Sequence, residues 1–173
     1  VTTDKSIATV AELLAHAKAI EEEALERYQE LAQQMEVHHN EEVAALFRKM
    51  AHVEGIHVQK VLDRVGDMEL PHISPWDFRW LDEEAPESIT ATDVHYLMTP
   101  HHALKLALRG EQRAFDFFSR VCETVGPSEV CELARELMEE EKEHIQLMQE
   151  WLARVPLPDE DWDEDPDPPT LQE

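Results

Sequence analysis

Two Glu-x-x-His sequences, Glu54/His57 and Glu141/His144, stand 87 residues apart in a chain of 173. On a helix, residues three apart share a face, so each pair aims a carboxylate and an imidazole in one direction. Such oxygen and nitrogen donors suit iron or manganese; zinc fits them as well but adds no redox chemistry. Alone the pattern is weak. Glu36/His39 and Glu69/His72 repeat it, the first at a helix end and the second interrupted by Pro71.

The surrounding periodicity makes it specific. Steps of three and four give Val43, Phe47, Met50, Glu54, His57 and Val61 in one segment, and Val130, Ala134, Leu137, Glu141, His144, Met148 and Trp151 in another. Both are apolar seams broken only by the Glu-x-x-His pair. Two further seams each carry one central glutamate. The first runs Leu14, Ala17, Glu21, Ala24, Tyr28, Leu31, Met35; the second runs Leu104, Ala107, Glu111, Ala114, Phe118, Val121, Val125. The first half of the chain is thus repeated in the second, with offsets of 90 residues for the lone glutamates and 87 for the pairs.

Six ionisable groups on core-facing positions need partners, because a lone buried carboxylate is costly. No Lys or Arg lies on these seams. Two divalent cations would balance four glutamates, with neutral imidazoles completing the shell. One Glu from each of two helices plus Glu-x-x-His from the other two is the known donor pattern of ferritin-like di-iron and di-manganese proteins. The plainer alternative is a bundle whose buried polar groups are held by hydrogen bonds.

Four helices must carry these seams. The first starts at a capping box, Thr9 to Glu12, and runs to about Met35. The second is capped by Asn40 and fades at Gly66; the third opens at Thr99-Pro100 and stops at Gly126; the fourth starts at Pro127-Ser128 and ends before Pro156. Short links near 37–40 and 126–128 imply antiparallel neighbours. The link of about 67–98 is long enough to cross the bundle end to end, with Trp76, Phe78 and Trp80 expected to pin it and a short helix expected around Thr92–Leu97. The predicted fold is all-α: a ferritin-like four-helix bundle over 1–155, with one long crossover between the second and third helices. An acidic, Pro-rich tail, 156–173, is expected to be disordered.

The formal net charge is -24, which makes nucleic acid and anionic membranes poor partners and suits cations. The two cysteines, Cys122 and Cys131, form no CxxC motif and read as free thiols near a helix–helix turn. Val1 to Val10 lacks a basic region followed by an apolar core, so no signal peptide is expected, and the default address is the cytoplasm. His52, His101 and His102 read as surface histidines, and Glu22, Glu23, Glu139, Glu140 and Glu143 as mostly solvated.

The segments AKAIEEEALERYQELA, ALFRKMAHVEGIH, LALRGEQRAFDFF and ELMEEEKEHI resemble the four helices of the rubrerythrin branch of the ferritin-like superfamily, over about residues 9–153. The resemblance implies that Glu54 and Glu141 bridge two iron ions. Glu21 and His57 would bind one ion terminally, and Glu111 and His144 the other. Tyr28 resembles the family tyrosine that hydrogen-bonds a ligand carboxylate or relays an electron; core packing is its other reading. Three departures stand out: no rubredoxin domain, Ala114 where rubrerythrins proper carry an extra glutamate, and Phe118 opposite Tyr28 in the repeat. The six-ligand set is closer to the ferroxidase centre of bacterioferritin.

The implied activity is oxidation of Fe(II) by dioxygen, or reduction of hydrogen peroxide with electrons from an external donor. Iron storage, a dimanganese catalase-like enzyme and a metal-free structural bundle are the rival readings. A homodimer is the prior for assembly.

Overall fold

The computed structural model describes residues 6–80, 85–89, 93–124 and 126–166. Helices α1 (Val10–Val37), α2 (Glu41–Val65), α3 (Pro100–Glu123) and α4 (Ser128–Leu152) form the bundle, and no strand occurs among the described residues. The first begins where Thr9 Oγ1 accepts from the Glu12 N–H (3.1 Å) and Glu12 Oε2 accepts from the Ala8 N–H (2.9 Å), satisfying two orphan donors. Asn40 caps α2 and also donates to the carbonyls of Tyr96 (3.1 Å) and Met98 (2.8 Å), which ties the start of α2 to the approach of α3. At α3, Pro100 takes the first turn and His102 Nδ1 accepts from the Thr99 N–H (3.1 Å), so His102 is a capping residue. The second helix stops at Gly66, whose φ of 52° favours a residue without Cβ.

Each helix packs most closely against its hairpin partner, α1 with α2 and α3 with α4, and the two hairpins face each other across a wider gap. Two separate apolar clusters fill the bundle. One gathers Tyr28, Met35, Phe47, Met50, Met98 and Leu104; the other gathers Leu14, Ile20, Val61, Phe117, Phe118 and Leu137. The seam residues expected inside are buried, except that Val121 and Trp151 are half-buried and Val125 lies outside the described residues.

The crossover is held differently from the expectation. Trp76 sits in a single 3-10 turn, Pro75–Asp77, and is 83% exposed, so it pins nothing. Phe78 and Trp80 stack on each other (4.8 Å) and meet the edge of the buried His16 ring. His16 Nδ1 lies 2.8 Å from the Glu12 carbonyl, and its Nε2 accepts from the Arg79 N–H (3.1 Å). That pairing fixes a neutral tautomer with the proton on Nδ1, and burial lowers the pKa of the ring. Of the short helix expected around 92–97, Thr92 lies outside the described residues, and residues 95–98 form a turn closed by Met98 N–H to His95 carbonyl (3.0 Å).

Disorder from residue 156 is also corrected, for residues 156–166. Trp162 packs on His102 (4.0 Å between ring centroids) and on His95, and the Tyr96 hydroxyl donates to Asp165 (2.7 Å). The aromatic surface of Trp162 offsets the ordering cost of an otherwise acidic, Pro-rich segment. Cys122 and Cys131 are free thiols that face each other across the α3–α4 turn, with Sγ atoms 2.7 Å apart. No helix among the described residues is long and apolar enough to cross a membrane.

Candidate metal centre

Helical spacing brings the six donors to one level, between the two apolar clusters. Glu21 comes from α1, Glu54 and His57 from α2, Glu111 from α3, and Glu141 and His144 from α4. All six are buried, with relative exposures between 1% and 7%. They form two triads, Glu21–Glu54–His57 and Glu111–Glu141–His144, and within each triad the donor atoms lie within 4.8 Å of one another. Each triad therefore belongs to a single hairpin.

His57 Nδ1 stands 2.8 Å from Glu54 Oε2 and 3.6 Å from Glu21 Oε2. The second triad repeats this: His144 Nδ1 is 3.1 Å from Glu141 Oε2 and 3.3 Å from Glu111 Oε2. The imidazoles meet at the middle of the molecule, stacked with centroids 3.7 Å apart and planes 9° from parallel. The duplication seen in the seams is thus a local two-fold likeness in space.

The electrostatics fit a cation pair. Oε2 of Glu21 and of Glu111 are buried with no hydrogen-bond partner among the described residues, a costly arrangement unless something positive lies between them. Burial disfavours a charged ring at His57, but Glu21 and Glu54 outweigh it and push the imidazole up to about 9. At His144, Glu111 and Glu141 overcome the same burial and push the ring up to about 11. Burial raises the carboxyl of Glu21, and that of Glu141 well above the ordinary range, against the pull of His57 and His144 respectively. In the metal-free chain, protons thus do the neutralising. Divalent cations would displace them, since ligation requires neutral imidazole and ionised carboxylate.

Tyr28 lies in the apolar cluster beside this level, its ring stacked on Phe47 (6.0 Å). Burial pushes its hydroxyl well above the usual tyrosine range, with Glu54, Glu87 and Glu111 adding to the shift. The two decoy pairs stay outside: Glu36 pairs with Arg48, and His39, Glu69 and His72 are exposed. His52 is exposed, and His101 is half-buried at the start of α3. Glu22 and Glu139, both exposed, pair with Lys18 and Lys142, and Glu143 is exposed. Glu23 and Glu140 depart from the solvated reading, because Glu23 accepts from the Ser88 hydroxyl and Glu140 from the Arg64 guanidinium.

Three buried polar residues escaped the sequence reading: His16, Glu87 and Ser88, the last of which donates to Glu23. His16 anchors the crossover, as described above. Glu87, from the crossover itself, is 3% exposed and lies among the metal-pocket glutamates. A signal for it existed in Gly110, a mid-helix glycine beside Glu111 that marks the close approach of another chain segment.

A family model described as Rubrerythrin matches residues 12–152. Among solved structures, an uncharacterised conserved protein from Magnetospirillum magnetotacticum MS-1 is 38% identical, with a TM-score of 0.64 over 87% of this chain and 98% of that one. No curated protein matches the chain.

Proposed function

Because this chain belongs to the rubrerythrin family, we propose that its six buried donors hold two iron ions and make it an oxidoreductase of the ferroxidase or peroxidase type. The observation that carries the reading is the pair of buried carboxylate–imidazole triads meeting at stacked histidines. Bound there, two iron ions supply a pair of electrons to dioxygen or hydrogen peroxide at one place.

The protein's part is to bind, orient and insulate. Glu54 and Glu141, one from each Glu-x-x-His pair, would be the carboxylates shared by the two ions, as the family resemblance implies. Glu21 with His57 and Glu111 with His144 close the two ends. Ala24, Ala107 and Ala114 next to the lone glutamates leave room for a small oxidant, and the apolar clusters above and below keep bulk water out. Low dielectric strengthens every charge interaction inside. Tyr28, buried beside Glu54 and Glu111, stands where an electron relay would be useful. Reducing equivalents would reach the pair from a donor outside the bundle.

Glu54→Ala tests the assignment. Iron-loaded wild-type protein is expected to hold two irons per chain, and the variant to lose the pair together with its optical spectrum. Two irons retained with an unchanged spectrum would end this reading. Turnover with peroxide against turnover with dioxygen then separates the two reaction types, and metal analysis of protein from its own host separates iron from manganese.

A further inference from the structure

The crossover contributes one carboxylate that no seam predicts. Glu87 is 3% exposed, and neither of its oxygens has a hydrogen-bond partner among the described residues. Its principal electrostatic neighbours are Glu111, Glu54, Glu21 and Glu141, the four glutamates of the metal pocket, and no cation stands among them. An isolated carboxyl left without a partner in such a place is strongly unfavourable.

Its position is built. The Arg113 guanidinium donates to the Ser88 carbonyl (2.7 Å), and the Ser88 hydroxyl donates to Glu23, so the residue after Glu87 is clamped to both α1 and α3. Gly110, immediately before Glu111, lets the loop approach: a Cβ there would stand 3.4 Å from Glu87 Cγ and 3.5 Å from its Cα. The loop thus lies in van der Waals contact with the α3 backbone at this point. On α3 itself, the positions a turn either side of Glu111 are Ala107 and Ala114, which offer no donor.

We propose that Glu87 is a fifth carboxylate ligand of the metal pair, reaching from the crossover to the ion held by Glu111, Glu141 and His144. Its contact on α3 is Gly110, the residue before Glu111, which sets it on that side of the pocket. Four glutamates already balance two divalent ions, so a fifth favours the more highly charged, oxidised pair. It also makes the two ions unequal, since α1 and α2 have no counterpart loop among the described residues.

The inference rests on the metal-pair reading, and cobalt(II) separates the two. Full-length protein is stripped by chelation and titrated with cobalt(II), whose visible bands strengthen as coordination number falls. Wild type is expected to take up two ions. Glu87→Gln is expected to take up two as well, one of them at least tenfold more weakly and with intensified bands. Should the glutamine variant fail to fold, Glu87→Asp, one methylene shorter, is read in the same way. Two cobalt ions bound by the variants with unchanged affinities and bands overturn the role of Glu87 alone. Failure of wild type to bind a pair overturns the metal reading itself, and this inference with it.

Discussion

Stripping the metal and raising the pH should weaken the fold, and the triads set the size of the effect. His57 and His144 are pushed from 6.5 up to about 9 and about 11 by the carboxylates that face them. A group that holds its proton more tightly when folded stabilises the fold fully below its unfolded pKa. That contribution is lost as pH rises through the folded value. The window therefore opens near 6.5 and closes near 9 for His57 and near 11 for His144. From about pH 7 to about pH 8.5 each retained proton is worth ~1.4 kcal/mol per pH unit, so the two rings together cost about 4 kcal/mol. For a chain of this size that corresponds to a fall of about 10 °C in melting temperature. The raised carboxyls of Glu21 and Glu141 act with the same sign, their contribution being lost as pH rises above the ordinary carboxylate range. Iron-loaded protein should behave in the opposite sense, because cations compete with these protons and metal stabilisation grows with pH. The assay is thermal unfolding of chelated and loaded protein across that interval. A chelated protein whose melting temperature is flat or rising there would refute the reasoning.

His16→Ala should cost about 3 kcal/mol, since it empties a buried site and strands the Arg79 N–H and the Glu12 carbonyl. Calorimetry should show the loss while the iron count per chain stays the same, and an unchanged melting temperature would mean that the crossover is anchored elsewhere. A mild disulfide-forming oxidant should join Cys122 to Cys131, whose sulfurs already face each other at 2.7 Å against about 2 Å in a bond. Thiol titration should then fall from two to none with no cross-linked dimer on a non-reducing gel; persistent thiols or dimers would contradict it.

The donors on the helices were legible because helical periodicity and an internal repeat act together. Glu21 and Glu111 announce themselves as lone charges at matched places on apolar stripes, and Glu54/His57 repeats as Glu141/His144 at a fixed offset. Caps at Thr9, Asn40 and Thr99 then set the helix limits to within a few residues. Irregular segments give no such period. Glu87 stands in EEAPES, which reads as a solvated acidic loop, and only tertiary packing against Gly110 turns it inward. Trp162 was masked by the ten acidic or proline residues around it in the run DEDWDEDPDPP, although its indole folds the segment back onto His102. Trp76 failed in the opposite sense: aromaticity suggested an anchor, but the anchor is the buried His16, which a search for apolar residues passes over.

Each triad is complete within one helical hairpin, and at that level the hairpins meet through the stacked His57 and His144. A shared pair of ions is then a rivet between two half-proteins. Without it, the apolar ends, the connecting strap, the stacked imidazoles and the Arg64–Glu140 pair remain to hold the halves in register, while each half keeps its own helices. Emptying the rivet hole should let the halves shear against one another long before any helix unwinds.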